Sequence, residues 1–404
     1  MSKRSAANSI PPCFDCEGHA TERLIDMFIR MGQERRIRLG QTPAERSVFR
    51  KLHGIAYGWF EVREDIDPDL SAGFLAADKL DAWVRFSSDT DPALPDLGST
   101  LGIGIKLFGV PDSDGLGEAG TTADILMQNF DRFFVQNAKD MCEFTYAGVV
   151  QGNYDPYLAA HPDTKSVIDA MGNKIEGSVL TATYWAILPF HLGDEIVKYK
   201  LEPETEPQDV PNDSTNYLAV DIANRLAQDE YRFRFMVQRR TNPTNMPLDQ
   251  AMKIWPVSES PFEHVATLVL PRQNILERGQ SDYGQGLSFN IWRTPQENAP
   301  CDESSIAVVR KSVYLAGAKA RKTANGQSLQ DPTEPRSFPG VATKPHDHCI
   351  VKAVIYPSIG IARVGNSPKG HFVGPEVPEP PAAAQGFYRD DQGRLKRQAA
   401  RFLI

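Results

Sequence analysis

The chain has 404 residues and a formal net charge of −8, from 44 lysines and arginines against 52 aspartates and glutamates. This length can bury a large core, and the acidic balance argues against a general nucleic-acid-binding protein. No apolar run approaches the length that spans a bilayer, and the amino terminus lacks the apolar stretch of a secretory signal. We therefore expect a soluble, cytoplasmic protein that binds neither nucleic acid nor a membrane.

The five cysteines are too few and too scattered to predict a disulfide framework. Cys13 and Cys16 form a single C-x-x-C in a proline-containing segment, and we interpret them as reduced thiols in a flexible leader over residues 1–20. The sequence KPHDHC at 344–349 holds three potential metal ligands without an evident fourth. A linker turn is the favoured interpretation there.

Hydrophobic periodicity predicts a mixed α+β protein with a largely antiparallel sheet. Apolar residues at helical spacing predict helices over 20–38, 163–174 and 304–326. Alternation predicts strands over 55–66, 82–88, 101–110, 176–190, 231–240 and 264–270. The segment 123–135 is predicted to be either a strand pair or a strand and turn. Residues 202–216 are polar and contain proline, which indicates a loop.

The composition changes after the third predicted helix, where proline and polar residues dominate. A new strand-like run then begins near residue 350. We therefore predict a main domain over 21–335, a linker over 336–349 and a second segment over 350–404.

Arg310 and Tyr314 lie four residues apart on the predicted third helix, so their side chains share one face. A phenol normally ionises at a pKa of about 10, and a guanidinium or a ferric ion beside it favours the anion. Tyrosinate is a known proximal ligand of haem iron. The alternative interpretation is an arginine and a tyrosine that share a helix surface, which is common.

His53 begins an alternating run that contains Gly54 and Gly58. Glycine inside a strand often indicates the close approach of a flat ligand or of another backbone. A single histidine on a strand is more often structural than catalytic, so the neighbouring residues decide between the two interpretations.

Polar residues near His53 in the predicted sheet favour a ligand site. Arg50 and Arg85 could bind acidic groups such as porphyrin propionates, since the guanidinium fork suits a carboxylate. Ser87 could orient the imidazole of His53 by a hydrogen bond.

Five motifs in series resemble the haem domain of catalases, over roughly residues 20 to 325. They are, in order, FRKLHGIAYGWFEV, AWVRFSS, STLGIGIKLFGV, DILMQNFDRFFVQNAKDM and VVRKSVY. The chain reads YLAGAKAR from the tyrosine onward, where typical catalases continue differently, so it is more similar to the catalase-related branch that includes allene oxide synthases. The resemblance implies a catalase-like antiparallel β-barrel with surrounding helices and a bound haem b.

The resemblance also implies roles for individual residues. His53 would act as the general acid–base on a bound peroxide, and an amide at Asn129 or Gln128 would hold that peroxide. Tyr314 would ligate the haem iron, with Arg310 keeping it anionic.

A second set of residues is implied as cofactor contacts. Phe134, beside Phe133, would keep the pocket apolar, although a phenylalanine pair is usually core. Arg50 and Arg85 would bind the propionates, and Ser87 would support the histidine.

Residues 350–404 resemble the start of the lysine 6-oxidase and glycine oxidase family, whose members use a cysteine tryptophylquinone. The resemblance implies a short β-rich fragment. The region that would supply the quinone-forming side chains is absent, so no oxidase activity is carried over. The fragment is interpreted either as a piece of a longer fusion or as a docking segment for a quinone-dependent amine oxidase, which would release hydrogen peroxide.

These features favour a haem-dependent oxidoreductase that acts on hydrogen peroxide or organic hydroperoxides, in a response to oxidative stress. Peroxidation and hydroperoxide isomerisation or lysis share the same predicted pocket. The alternative is a haem-binding or interaction module with weak turnover that serves a partner amine oxidase, and a third hypothesis is a scaffold without haem. We expect a homo-oligomer.

Overall fold

The computed structural model describes residues 15–117, 119–210 and 216–342, together with 351, 355, 387–389 and 395–397. Cys13, the turn at 344–349 and most of the segment 350–404 lie outside these residues. Within that segment, the two short strands β10 (Phe387–Arg389) and β11 (Leu395–Arg397) pair antiparallel. No helix among the described residues combines the length and apolar character that crossing a bilayer requires.

The main domain is built on a closed antiparallel β-barrel. Its strands run in the order β5-β4-β3-β2-β1-β9-β8-β7, and β5 pairs with both β4 and β7 to close the ring, while β6 pairs with β7 outside it. The strand bounds are β1 (Lys51–Val62), β2 (Lys79–Ser88), β3 (Leu101–Phe108), β4 (Thr122–Gln128), β5 (Tyr184–Trp185), β6 (Phe190–Leu192), β7 (Glu195–Pro203), β8 (Tyr231–Arg239) and β9 (Glu263–Leu270). Closure leaves no long unpaired edge in the ring.

The barrel forms because its strands alternate between buried apolar and more exposed polar side chains. In β8, Phe233 and Phe235 are fully buried, whereas Arg232 and Arg234 between and beside them are partly exposed. The Phe235 ring lies 5.1 Å from the ring of Phe60, centroid to centroid, in an edge-on contact. Aromatic packing of this kind fills the interior, so the barrel is a core and not a channel.

Helices surround the barrel, as predicted. A continuous helical run begins with α1 (Ala20–Ile25), passes through a π-helical stretch (Asp26–Gln33) and ends as α2 (Glu34–Arg38), which confirms the predicted helix at 20–38. The other helices are α3 (Ala138–Val149), α4 (Asp155–Ala160), α5 (Pro162–Asn173), α6 (Tyr217–Leu226), α7 (Gln280–Gly286) and α8 (Ser305–Ala324). Helices α5 and α8 match the other two predicted helices.

Two alternatives were predicted for 123–135, a strand pair or a strand and turn, and the structure shows the second: β4 ends at Gln128 and bends follow. Beyond it the chain is irregular until α3, whose first turn is capped by Asn137 accepting a hydrogen bond from the Asp140 amide at 3.0 Å. The predicted strand at 176–190 is likewise extended only at β5 and at the start of β6. Helices α3 and α6 were not predicted.

A disulfide joins Cys16 to Cys142 of α3 across 126 residues of sequence. The prediction that Cys16 is a reduced thiol in a flexible leader is therefore wrong. Both cysteines are buried in an apolar cluster with side chains of α1 and α8, including Leu24, Val309 and Val313. This tertiary packing, which short-range spacing does not reveal, brings the two sulfur atoms together.

A buried ion cluster holds α8 against the barrel. Asp124 of β4 pairs with Lys106 and Arg293, and Asp331 pairs with the same two cations and with Lys322 at the end of α8. Burial alone would raise the pKa of Asp331, but the three cations together hold that pKa well below its usual range. The cluster therefore connects two barrel strands, the 288–293 loop and the carboxyl end of α8.

The described part of the predicted linker packs on the outside of the barrel. The Trp83 indole donates to the Arg336 carbonyl at 3.1 Å, and the Phe338 ring lies 5.5 Å from the ring of Tyr57. The Asn274 amide donates to the Gly340 carbonyl at 2.9 Å. Residues 336–342 are therefore tied to the barrel by their own contacts.

The disulfide generates a stability prediction. Removing it by Cys142→Ser should lower the free energy of unfolding by about 2–5 kcal/mol, because the bond restricts the unfolded chain. Urea denaturation of the native protein and the variant, each with and without dithiothreitol, measures this. The reductant should destabilise only the native protein, and equal curves for native protein in both conditions would contradict the prediction.

Candidate functional site

Arg310 and Tyr314 form a direct side-chain pair on α8. The Arg310 guanidinium donates two hydrogen bonds to the Tyr314 phenol oxygen, from Nε at 3.0 Å and from Nη2 at 2.7 Å. The helical spacing places them on one face, as the sequence predicted. Both donors converge on the one phenol oxygen, so the guanidinium group fixes the position of that oxygen.

Two cavities meet at this pair. The first, which we call the arginine cavity, encloses about 880 Å³ between α8 and the β2–β4 wall of the barrel, part of it open to solvent. The second, the apolar cavity, encloses about 1120 Å³ between α8, α1 and α3. Seven residues line both cavities and form their junction: Ser47, Val48, Phe49, Gln128, Ile187, Arg310 and Tyr314.

The arginine cavity carries positive charge without a bound carboxylate. Arg46 and Arg321 donate to backbone carbonyls, and Arg85 donates to the Gln285 amide oxygen and to the Phe49 carbonyl. Within the described ranges, none of these three guanidinium groups forms an ion pair with a carboxylate. The cavity therefore has the electrostatic character of a site for an anion.

Burial affects the ionisation of these guanidinium groups. Desolvation, followed by the charge of Arg321, lowers the pKa of Arg85 to about 9. Desolvation lowers the pKa of Arg321 to about 10 and that of Arg46 well below its usual range, with Arg321 and Arg85 adding to the effect on Arg46. An anionic ligand in the cavity would offset this cost by pairing with the charges.

The apolar cavity has a different lining. Its walls are mainly aliphatic and aromatic, including Leu24, Phe28, Phe133, Phe134, Met141 and Met171. The Phe134 ring lies 4.5 Å from Phe133 and 4.9 Å from Phe144, centroid to centroid, so it is part of an aromatic cluster that lines this cavity. The two cavities together therefore have one cationic end and one apolar end.

Gly102 and Gly104 of β3 give the arginine cavity a flat wall. A Cβ atom at Gly104 would lie 3.2 Å from both Leu126 and Phe289, so a larger residue would crowd the site. At Gly102 the space is taken by Phe49, whose ring would be 2.5 Å from an added Cβ atom. The glycines of β1 line neither cavity, and a Cβ atom at Gly58 would lie 2.5 Å from the Val269 carbonyl oxygen, which is the close approach of another backbone that the sequence left as an alternative.

His53 is turned away from this site. Its Nε2 forms a hydrogen bond with the Ser88 hydroxyl at 3.0 Å, and among the described residues its buried Nδ1 has no hydrogen-bond partner. His53 lines neither cavity. Ser87, predicted to orient the imidazole, instead lines the arginine cavity and donates to the Gly102 carbonyl at 3.4 Å. The structure does not bring His53 and Ser87 together.

A β-bulge explains the difference. Lys51 pairs with Ser88 and Leu52 with Ser87, but the next pair is Gly54 with Phe86, so His53 has no partner on β2. A bulge changes the direction of the extra residue's side chain. The alternation of side chains between the two faces of β1 therefore does not predict the direction of His53. Desolvation lowers the pKa of the enclosed His53 imidazole to about 4.

Two further predicted residues also lie outside the described cavity linings. Arg50 is paired with the carboxylates of Glu45 at 2.8 Å and Asp91 at 2.9 Å, so its guanidinium is not available to a ligand in this structure. Asn129 is held by structural bonds, accepting from the Leu101 amide at 2.8 Å and donating to Glu176 at 3.3 Å. These contacts give both residues a structural role.

Gln128 is the amide that the structure places at the junction. Its Nε2 donates to the Arg132 carbonyl at 2.9 Å and to the Phe130 carbonyl at 3.4 Å. Of the two amides that the sequence left open, only Gln128 contacts the cavities.

Sequence reasoning missed three residues of the site. Arg321 lies seven residues after Tyr314, two helical turns along the same face of α8, so its spacing could have identified it. Arg46 and Phe49 lie in an irregular segment before β1, where no periodicity indicates the direction of a side chain.

Comparisons with known proteins agree with this architecture. A crystal structure of a fungal catalase matches with a TM-score of 0.56 at 15% sequence identity, covering 84% of this chain and 74% of that chain. The predicted catalase-like fold is confirmed. Residues 356–404 match the family described as L-lysine epsilon oxidase N-terminal (LodA_N), as the sequence of the carboxyl-terminal segment predicted. No curated protein sequence matches the chain.

The chemistry that the site offers depends on its donor set. No group of three or more His, Cys, Asp or Glu side chains that could hold a metal ion occurs in the described residues. The candidate metal ligand is instead the single Tyr314 oxygen, which suits a metal that arrives within a macrocycle.

The enclosed His53 generates a pH prediction. Its folded pKa of about 4 lies below the ordinary value of 6.5, so the unfolded chain binds the extra proton more readily. The free energy of unfolding should be at its full value above about pH 6.5 and should fall by up to about 3 kcal/mol as the pH approaches 4. Urea denaturation across this range should show a weaker pH dependence for His53→Gln, and an unchanged dependence would contradict the assignment.

Proposed function

We propose that the chain binds haem b between α8 and the β2–β4 wall and acts as an oxidoreductase on peroxides. The observation that carries the proposal is the Arg310–Tyr314 pair at the junction of a cationic and an apolar cavity. A catalase-like fold supports it, because the likeness makes a haem site between barrel and helix a reasonable hypothesis to test against these residues.

The residues present fit haem in three ways. Haem b is flat, with two carboxylates at one edge and apolar substituents at the other, and the two cavities have the same asymmetry. The phenol of Tyr314 lies where the two cavities meet, so its oxygen could hold the iron, and the glycines of β3 leave a flat wall opposite α8. Arg46, Arg85 and Arg321 would hold the carboxylates.

When bound, haem iron supplies the redox chemistry of peroxide cleavage. The residues of the chain would determine what that chemistry can do. Tyr314 would donate its oxygen as ligand, with Arg310 stabilising its negative charge, and Phe133 and Phe134 would exclude water. The side-chain oxygen of Gln128 would accept a hydrogen bond from a peroxide hydroxyl at the junction, because its Nε2 already donates to two backbone carbonyls.

Proton transfer is where two candidate functions separate. The enzyme requires His53 to move a proton between the two peroxide oxygens, which is the role that the sequence predicts. In this structure the imidazole faces Ser88. That observation favours the second candidate, a haem-binding module with weak turnover, and the experiments below distinguish the two.

The match at residues 356–404 supports a proposal about partners. An amine oxidase releases hydrogen peroxide, and a haem protein associated with it could consume that product. We propose a cytoplasmic location. The Cys16–Cys142 disulfide argues against it, since disulfides persist mainly in oxidising compartments.

Haem binding is tested by titrating the purified protein with haemin and recording the visible spectrum. Tyr314→Phe should change the spectrum of the ferric form, and Arg310→Leu should weaken binding roughly 10–100-fold, because the partner that orients a ligand contributes to its affinity. Tyr283→Phe, at a tyrosine that lines neither cavity, is the matched control. A Tyr314→Phe spectrum identical to that of the native protein would refute ligation by this residue.

Turnover is tested by adding hydrogen peroxide or an alkyl hydroperoxide to the haem-loaded protein, with oxygen evolution and a reductant dye as readouts. If the enzyme proposal is correct, His53→Ala should lose a factor of about 10²–10⁴ in peroxide cleavage while it retains haem. Haem binding without turnover in the native protein would support the second candidate.

A further inference from the structure

Residues 47–49 form a short irregular segment between the two cavities, and all three line both of them. Phe49 has a φ of 50°, in the left-handed region that a bulky residue rarely adopts. Such strain persists only where surrounding contacts maintain it, and it is concentrated at functional sites. The contacts that hold Phe49 in this conformation therefore bear on the function of the segment.

The two ends of the segment are firmly anchored. On the amino-terminal side, Ala44 exchanges two hydrogen bonds with Asn325, at 2.7 and 3.0 Å. On the other side, Arg50 is held by its ion pairs with Glu45 and Asp91. A displacement between the anchors would therefore be confined to the few residues before β1.

Val48 packs against the apolar cluster that contains Cys16 and Cys142, and two contacts hold Phe49. Arg85 Nη2 donates to the Phe49 carbonyl at 3.0 Å, and the Phe49 ring packs on Gly102 of the flat wall. Both contacts use groups that a flat dicarboxylate would need. A ligand carboxylate would compete for Arg85, and a ligand plane lying on Gly102 would require the volume of the ring.

We propose that residues 47–49 are a latch that, in the conformation seen here, separates the arginine cavity from the apolar cavity. These residues would have to move for a flat amphipathic macrocycle to span both cavities, and Arg85 would then exchange the Phe49 carbonyl for a carboxylate. The proposal rests on the proposed haem site, and it adds the step that controls access to that site.

The first test measures association rates with haemin and with iron-free protoporphyrin IX, whose binding does not depend on ligation by Tyr314. Quenching of tryptophan fluorescence reports arrival, since Trp185 lines the arginine cavity. For the native protein, the observed rate should level off at high porphyrin concentration, because opening of the latch becomes limiting. Phe49→Gly removes the ring and accepts the positive φ, so its rate should rise in proportion to concentration and exceed the native plateau at least tenfold.

Phe338→Ala is the matched control, because it removes a ring of the same size that lines neither cavity. This variant should keep the levelling rate even if its affinity changes. Equal rates and equal concentration dependence for native protein and Phe49→Gly would overturn the latch. Failure of the native protein and every variant to bind either porphyrin would instead refute the proposed haem site.

A second measurement needs no variant. Hydrogen exchange of the native chain with and without haemin should change in peptides that cover residues 45–50, because the latch leaves its position. Exchange that is unchanged in these peptides while the Soret band shows bound haem would also overturn the proposal.

Discussion

The distance between α8 and the β2–β4 wall is the constraint on which the site depends. It is maintained by buried charges, in which Asp124 and Asp331 share Lys106 and Arg293 and Lys322 binds Asp331. Removing one member of such a cluster would leave an uncompensated charge in the interior, which is costly. The cluster therefore keeps open a space that apolar contacts alone would tend to close.

The same helix that limits this space also supplies its chemistry. Along one face of α8, Arg310 and Tyr314 meet at the junction of the cavities, and Arg321 reaches the cationic end. In the part of the chain that the structure describes, no carboxylate lies within ion-pair distance of Arg46, Arg85 or Arg321, and more distant carboxylates offset their desolvation only in part. This arrangement would be costly if the site had no ligand. That cost is a physical reason to regard the pair of cavities as a binding site for an amphipathic anion.

The irregular segment before β1 gives the site a conformational element that the barrel strands lack. Its strained Phe49 and the bulge at His53 lie within four residues of each other, next to well-ordered pairing in the rest of β1 and β2. Irregular backbone between rigid elements is where proteins concentrate functional motion and strain. In this chain Tyr314 lies on the regular helix α8 and the glycines of the flat wall lie on the regular strand β3. Phe49, which lies between the two cavities, belongs to the irregular segment.

The sequence by itself determined the features that follow from periodicity. Helical spacing placed Arg310 beside Tyr314, and strand alternation placed Arg85 and Ser87 on one face, because both repeats are properties of the local backbone. Periodicity also predicted an α+β protein with a largely antiparallel sheet, and the resemblance of five motifs to catalases implied the catalase-like fold.

Only the tertiary structure decided the remaining features. The bulge that turns His53 toward Ser88 depends on how β1 pairs with β2. Gln128 rather than Asn129 lines the cavities, while the Asn129 side chain is hydrogen-bonded to the Leu101 backbone amide and to Glu176. The Cys16–Cys142 bond joins residues 126 positions apart. Each of these features depends on contacts between residues that are distant in sequence. A local sequence pattern does not specify which of the possible distant contacts forms.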